Sequence, residues 1–540
     1  MQITERCAIM CYIENKGKEV ASGMGGDYKR GLYKDYERLV KAHEKLNKEY
    51  DLLKYEYRLQ EQKIARLKKK EAELMAKSEE LLLQNEALKK EVARMTALME
   101  ADSNNSGLPT AKTPIHKKKR IPNSRPKTDK HIGGQPGHTP SKLEPFKDEE
   151  VTEHEIHTEP VCPECGGELE QLDDSAIRDE LDYEVTVRKV RHHFPNCRCK
   201  KCGKTTRAKI PQALSGENQY GSRTRALILA LANDGNMSMN KIGRTLRGLT
   251  DGEISPSDGY IAKQQRIAAQ WLEPFNSSLS QEVCKLPLVY WDDTVIMISK
   301  RRGCLRFYGN EQLAYYCAHE KKNKDGLDKD KILQLLPKSA TVMHDHNTVN
   351  YNKDYSFSNI ECNVHLLRDL QKVTDNLEHP WSRALKELLE RANLERNNAM
   401  ANGEENFGGE REQEIYEAFD QLLLQGLEEN RAEKENRYFV NEEKALLTRL
   451  LKYKDNYLAW VSNWALPFSN NLSERSLRGV KSKQKVAGQF QNVDTAICYA
   501  KIRSYIETCH RNGVNVIYAL GRLCQGSPLT LAEILQKDAD

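Results

Sequence analysis

The chain has 540 residues, 30% of them charged, a formal net charge of +5 and a mean hydropathy of −0.75. That length exceeds what one core serves, so several domains are expected. No run of about eighteen apolar residues exists to span a bilayer, and Met1 to Met24 lacks the apolar stretch of an export signal. Fourteen cysteines without such a signal are expected to be reduced or metal-bound in a cytoplasmic setting rather than paired in disulfides.

Residues 1–31 show no clear periodicity and stay unassigned, with Met24 an alternative start. From 32 to 100 the chain repeats every seven residues. Leu32, Leu39, Leu46, Leu53, Leu67, Leu74, Leu81, Leu88 and Met95 share one position, broken only by Gln60. A seven-residue apolar repeat keeps one seam of a helix turned toward a partner, which predicts a coiled coil. Self-association is favoured over packing within the chain. Tyr36, Tyr50, Tyr57, Ile64, Asn85 and Val92 fill the companion position, where a buried Asn85 amide would select one register.

Residues 101–143 form a linker rich in Ser, Asn, Pro and Gly, with Lys117, Lys118, Lys119, Arg120, Arg125, Lys127 and Lys130 concentrating positive charge. Such a run buries no core and would track DNA phosphates without sequence preference; a charge run in isolation reads better as a solvated linker with no ligand, and within this chain the two readings stand level. Residues 144–215 contain Cys162-Pro-Glu-Cys165-Gly and Cys199-Lys-Lys-Cys202-Gly. Each CxxCG sets two thiolates on a tight turn, and two such turns supply four soft ligands for one structural zinc in a small ribbon. Cys197 lacks the spacing. The alternating stretch around Tyr183 is expected to give the ribbon its strands.

Residues 216–280 read as helical, with runs over 223–232 and 239–246, a break at Gly248, and Ser257 capping a third helix through Trp271. With Lys241, Arg244, Arg247, Lys263 and Arg266 exposed, this region would be a helix-turn-helix-like DNA-binding unit; a helical spacer fits as well.

At Pro287 the period changes. Leu288-Val-Tyr-Trp-Asp292-Asp293-Thr-Val-Ile-Met-Ile is a β-rich run holding two acids, followed by short strands over 304–308 and 313–317, a helical stretch around 331–336, and a strand over 340–345. Three strands, a helix and a strand form the order of an α/β ribonuclease H-like domain (281–374). There, carboxylates ending the first and fourth strands lie side by side, which selects Asp292, with Asp293 as its neighbour, and Asp345. Crowded carboxylates repel, and hard divalent cations relieve the repulsion, so two Mg²⁺ (or Mn²⁺) ions are expected. Such a pair activates the attacking oxygen and stabilises the leaving oxygen of an in-line phosphoryl transfer. The third acid, Glu474, should come from a later helix capped by Ser469 or Asn470. Glu474, Arg478, Lys481 and Lys485 share one face of that helix, and Arg475 and Lys483 add further charge suited to DNA phosphates. Residues 375–465 are charged and helical, with Trp381, Tyr416, Phe419, Tyr453 and Trp460 as core, and read as an all-helical insertion. Residues 466–540 return to the catalytic domain and end in a helical region.

At these residues the chain resembles the insertion-sequence-66 family of DDE transposases, from the coiled coil nearly to the C-terminus. The family's Gly-Gly-Gln-x-Gly-His appears as Gly133-Gly-Gln-Pro-Gly-His138, and its paired CxxC ribbon is matched by Cys162, Cys165, Cys199 and Cys202. Its Asp-Glu-Thr is matched by Asp292-Asp293-Thr294, its second Asp by Asp345, its Cys-x-x-His by Cys362-Asn-Val-His365 with Arg368 nearby, and Asn-Asn-x-x-Glu-Arg-x-x-Arg by Asn470 through Arg478. The resemblance implies catalytic roles for Asp292, Asp345 and Glu474, with Asp293, His365 and Arg368 as auxiliaries; His365 would assist the phosphate or the nucleophile, or cap its helix. It further implies double-stranded DNA, both terminal inverted repeats and target, as substrate. A dimer or higher assembly, small accessory proteins of the same element and a bacterial, nucleoid-associated location follow. Departures are Asp293 where Glu is usual, His346-Asn347 after the second Asp where Gly-Tyr is usual, and Leu367 where a paired arginine is common. A structure-specific nuclease on the same fold is one alternative. A decayed zinc-containing DNA-binding regulator is another, and the intact set of three acids argues against it.

Overall fold

The computed structural model describes residue 15 and residues 26–100, 144–157, 159–170, 176–214, 216–434 and 437–536. Lys117, Lys118, Lys119, Arg120 and the Gly133–His138 motif lie outside the described residues. Two units are distinguished, divided after Met99. In the first, α1 (Gly26–Glu100) is one helix of 75 residues, roughly 110 Å at 1.5 Å per residue. The seven-residue seam is open on it: Leu39, Leu46, Leu53, Leu67, Leu74, Leu81, Leu88 and Met95 are 47–70% exposed. No described helix is long and apolar enough to cross a membrane.

In the second unit the cysteine module begins with two knuckles of the same construction. Cys162 N donates to Gly167 O at 2.9 Å and Gly166 N to Cys162 O at 2.8 Å; Cys199 N donates to Lys204 O at 2.8 Å and Gly203 N to Cys199 O at 2.9 Å. Gly166 and Gly203 both take positive φ, 72° and 71°, a backbone that a side chain would strain. Strands β1 (Asn196–Arg198) and β2 (Thr205–Arg207) pair antiparallel around the second knuckle. The stretch around Tyr183 forms no strand, contrary to its alternation. Tyr183 is 74% exposed, so the pattern has no core to face.

Four helices follow: α2 (Ser222–Asn233), α3 (Met239–Leu249), α4 (Asp258–Trp271) and α5 (Glu273–Val283). Ile228, Ala232, Ile242, Leu246 and Ile261 form the core of the first three. Ser238 and Ser257 accept from Lys241 N and Tyr260 N as N-caps. Gly248 does not stop α3, which runs on to Leu249; the reversal comes at Asp251 and Gly252, both at positive φ. Lys241, Arg244, Arg247, Lys263 and Arg266 are exposed as expected.

The sheet has five strands in the order β5-β4-β3-β6-β7: β3 (Leu288–Ile298), β4 (Arg301–Gly309), β5 (Ala314–His319), β6 (Thr341–His344) and β7 (Ser358–Glu361). The first three form an antiparallel meander, while β6 and β7 run parallel to β3 and β6. The helix between β5 and β6 falls earlier than expected, at α6 (Lys324–Asp330), and 331–336 supplies only one 3₁₀ turn, Leu333–Leu335. A buried ion pair secures α6. Asp330 accepts from Tyr308 Oη at 2.8 Å and from Arg306 Nη1 at 3.2 Å, and His319 contacts its other oxygen.

The insertion comprises α7 (Asn363–Leu377), α8 (Pro380–Ala401), α9 (Gly409–Ala432), α10 (Arg437–Lys452) and α11 (Lys454–Ser462). It starts earlier than residue 375, because α7 already packs Leu366, Leu370 and Val373 into the core around Trp381, Phe419 and Trp460. The chain then returns as α12 (Asn471–Ala487), α13 (Val493–Arg511), α14 (Val516–Cys524) and α15 (Leu531–Leu535). Leu472, Leu477 and Val480 of α12 cover one face of the meander, against Ile296, Leu305 and Phe307.

Gly426 lies inside α9, where a Cβ would stand 2.7 Å from Trp381 Cδ2 and 2.8 Å from Leu447 Cδ2. In an open helix, Gly→Ala gains about 0.5–1 kcal/mol. Here overpacking opposes that gain at about 1–3 kcal/mol. Gly426→Ala is therefore expected to lower the unfolding free energy in a denaturant titration; a rise would show that the Trp381 contact yields.

Candidate active site

Neighbours on a strand face opposite sides of the sheet, so Asp292 and Asp293 cannot serve one site together. Asp292 shares its face with Ile296, against which α12 packs. Asp293 faces the other way. Its carboxylate pairs with Lys322 Nζ at 2.6 Å and accepts from Cys304 Sγ at 3.6 Å. The two acids thus part in space, with Asp292 on the face of α12 and Asp293 held in an ion pair.

The parallel register pairs Leu288 with Thr341 and Tyr290 with Met343. Continued by two residues, the same offset sets Asp345 beside Asp292 on one face. Glu474 arrives from the first turn of α12. His365, in the first turn of α7, stands between the last two: its Nδ1 is 3.1 Å from Asp345 Oδ1 and 4.0 Å from Glu474 Oε1. All three atoms are buried and none makes a well-formed hydrogen bond.

Burial, reinforced by the charges of Asp345 and Asp293, pushes Asp292 well above the ordinary carboxylate range. Asp345 moves the other way. Burial would raise it, but His365 and Asn470 hold its carboxyl down. His365 is pushed up to about 11, chiefly by Asp345 and Cys362 acting against burial. Arg368 Nη1 lies 3.3 Å from His365 Nε2. The site is thus short of positive charge and holds two buried carboxylate oxygens without partners. A hard divalent cation fits both conditions.

Asn470 fastens the assembly in a way its sequence position conceals. It occupies the N-cap position of α12, yet its side chain makes no cap bond. Instead its Nδ2 donates to Trp291 O at 2.9 Å, its backbone N donates to Cys362 Sγ at 3.2 Å, and its Oδ1 accepts from Ser473 Oγ at 2.7 Å. It is fully buried. One residue therefore joins the strand of Asp292, the entry to α7 and the helix of Glu474. His346, where the resemblance departs, turns to the buried Glu361, its Nδ1 2.8 Å from Oε1.

Arg475, Arg478, Lys481 and Lys485 are exposed on α12. Lys483 departs from its expected DNA contact. Its Nζ donates to Ala232 O at 2.8 Å and Met237 O at 3.2 Å, anchoring α12 to the end of α2. Cys162 and Cys165 form one thiol pair and Cys199 and Cys202 another, each with amides aimed at the first sulfur that lower its pKa. The two pairs are not gathered into one cluster among the described residues, where Asp345, Cys362 and His365 are the one metal-capable group of three.

The family model for "Transposase IS66 family" matches residues 217–497, more than half of the chain, and that for "zinc-finger binding domain of transposase IS66" matches residues 159–203. The sheet, the helices around it and the cysteine module are therefore those of a transposase, a DNA-acting enzyme with a zinc-binding module. The chain belongs to the IS66 transposase family. No curated protein matches it.

Burial without a charge partner lowers Lys483 from 10.5 to about 8. Between those values the unfolded chain binds the proton and the folded chain does not, so folding gains stability as pH rises. The stability of the unaltered protein relative to Lys483→Met is expected to increase from pH 8 to 10.5 in matched melts. A flat difference would place the ammonium in solvent.

Proposed function

We propose that this transposase works through a ribonuclease H-like domain in which Asp292, Asp345 and Glu474 hold two divalent cations for DNA cleavage and strand transfer. The observation that carries this reading is the approach of Asp345 and Glu474 to one His365, with buried oxygens lacking partners, beside an Asp292 whose surroundings penalise its charge. Bound there, the cations would activate the attacking oxygen and stabilise the leaving one.

The chain's own groups do the rest. Water attacks the phosphodiester at the element's end and the bond to the 3′ oxygen breaks; the freed 3′-hydroxyl then attacks a target phosphate, giving up its proton as the target's own 3′ oxygen leaves and takes one up. Arg475, Arg478, Lys481 and Lys485 hold the backbone of the terminal inverted repeat next to Glu474, and Lys117, Lys118, Lys119 and Arg120 add non-specific grip. His365, steadied by Arg368, keeps Asp345 ionised until a cation arrives. Cys162, Cys165, Cys199 and Cys202 hold the structural zinc; the matching hydrogen bonds of the two knuckles support that assignment. Two chains pair along the α1 seam to bring both ends together, with accessory proteins of the element as further partners.

Asp292→Asn, Asp345→Asn and Glu474→Gln are each expected to lower Mg²⁺-dependent cleavage and joining of end DNA by about a thousandfold or more while keeping DNA binding. Asp293→Asn should keep measurable cleavage, because its partner is Lys322. Equal losses in all four, or none, would sink the assignment. A separate outcome concerns α1: Leu67→Asp with Leu81→Asp should convert a dimer to a monomer in light scattering. A wild-type monomer, or an unchanged mass, would remove the coiled coil from the assembly.

A further inference from the structure

The group Asp345, Cys362 and His365 brings a carboxylate oxygen, a sulfur and an imidazole nitrogen within 4.8 Å of one another. Magnesium has no use for sulfur, since it takes oxygen ligands in near-octahedral geometry. Zinc and its analogues take this mixture of sulfur, nitrogen and carboxylate, usually four ligands at tetrahedral angles.

Three features make the group more than a cysteine beside an acid. Cys362 is buried at the N-cap position of α7, and the backbone N–H of Asn470 points at its sulfur from 3.2 Å. An amide donor of that kind is the outer-shell partner a ligating thiolate needs. Asp345 Oδ1 and His365 Nδ1 are buried without a well-formed hydrogen bond although 3.1 Å apart. Glu474 Oε1, 4.0 Å from the same nitrogen and likewise unpartnered, stands beside the group as a candidate fourth ligand, outside the 4.8 Å that gathers the three.

We propose that Asp345, Cys362 and His365 form a coordination site for one thiophilic divalent cation, which competes for Asp345 with the oxygen-ligated cations of the carboxylate centre. The competition rests on the function proposed above; the coordination site does not. A zinc ion seated there removes Asp345, and with Glu474 as fourth ligand a second acid, from the phosphoryl-transfer centre. It would hold the enzyme inactive in a fully folded state. Binding at Nδ1 leaves the ring proton on Nε2, so Arg368 must swing away from that nitrogen. The site is then a selector, active with hard cations and blocked by soft ones.

The test uses the full chain with its ribbon saturated with zinc, titrated with cobalt(II) and followed by thiolate-to-cobalt charge-transfer absorption. One cobalt per chain is expected, with the band of a single thiolate, lost in Cys362→Ser. His365→Asn should weaken it by about tenfold or more, the least that loss of even an outer-shell partner costs. Excess Mg²⁺ should also weaken cobalt binding in the unaltered chain, and less so in Asp292→Asn. Circular dichroism checks folding, and His365→Asn carries the test if the serine variant does not fold. Absence of the band, or a band that survives Cys362→Ser, overturns the site; indifference to Mg²⁺ overturns the competition. Cleavage of end DNA is scored separately. A chain that cleaves with Mg²⁺ but shows no band loses this site and keeps its function, and a chain with the band that never cleaves does the reverse.

Discussion

Like charges can be crowded together only where the scaffold holding them is stronger than their repulsion. Asp292, Asp345 and Glu474 come from a strand, the end of a parallel neighbour and the first turn of a distant helix, and each is fixed by the fold itself. The register of β3 with β6 sets the first two side by side. Asn470, bonded to Trp291 O and Cys362 Sγ, sets the third. Removing one partner of such buried bonds leaves the other unsatisfied, at about 1–3 kcal/mol each. Burial and the neighbouring acid charges raise Asp292, and Asp345 and Cys362 raise His365.

The rest of the catalytic unit serves that alignment from both sides of the sheet. On one face, α12 and α13 cover the meander. The α12–α13 connection is stitched to the β3–β4 turn, where Phe490 N donates to Met297 O at 2.8 Å and Ser299 N to Phe490 O at 3.0 Å. On the other face, the buried Arg306–Asp330 pair holds α6 against β4, and the Lys322–Asp293 pair holds the loop before α6 against β3. The helical insertion leaves between β7 and α12, where Asn363 N donates to Phe468 O at 3.1 Å and its side chain to Tyr457 O at 2.9 Å. A long insertion is thereby tied at its neck, and Glu474 returns beside His365 although it stands 109 positions later in the chain.

Much of this was legible in the sequence, for reasons that differ by element. The meander and the strand before Asp345 are legible as β-rich runs, and the three acids were named from the order of the elements, the charged face of the Glu474 helix and the family motifs. The parallel strand β7 was missed because Ser358–Glu361 is only four residues long and holds a single β-branched residue, Ile360. α6 was placed too late, because the apolar residues Ile332, Leu333 and Leu336 advertise burial, whereas the helix lies in the charged stretch before them. Gly248 was read as a stop, yet α3 tolerates it. Charge alone put Lys483 among the DNA-facing cations; only packing reveals that its ammonium bonds to the end of α2. Asn470 looked like a cap from its position alone, and its bond to Trp291 is a long-range contact that no local pattern encodes.

The central claim, that three acids converge to hold divalent cations, is tested most directly by replacing Mg²⁺ with Fe²⁺. In the presence of ascorbate and peroxide, bound iron generates hydroxyl radicals that cut the nearby backbone, and the fragments are mapped by mass spectrometry. The account predicts cuts clustered around residues 292, 345 and 474 in the zinc-loaded full chain, suppressed by excess Mg²⁺. Cuts confined to the cysteine module, or to the neighbourhood of Lys322 on the opposite face of the sheet, would contradict it.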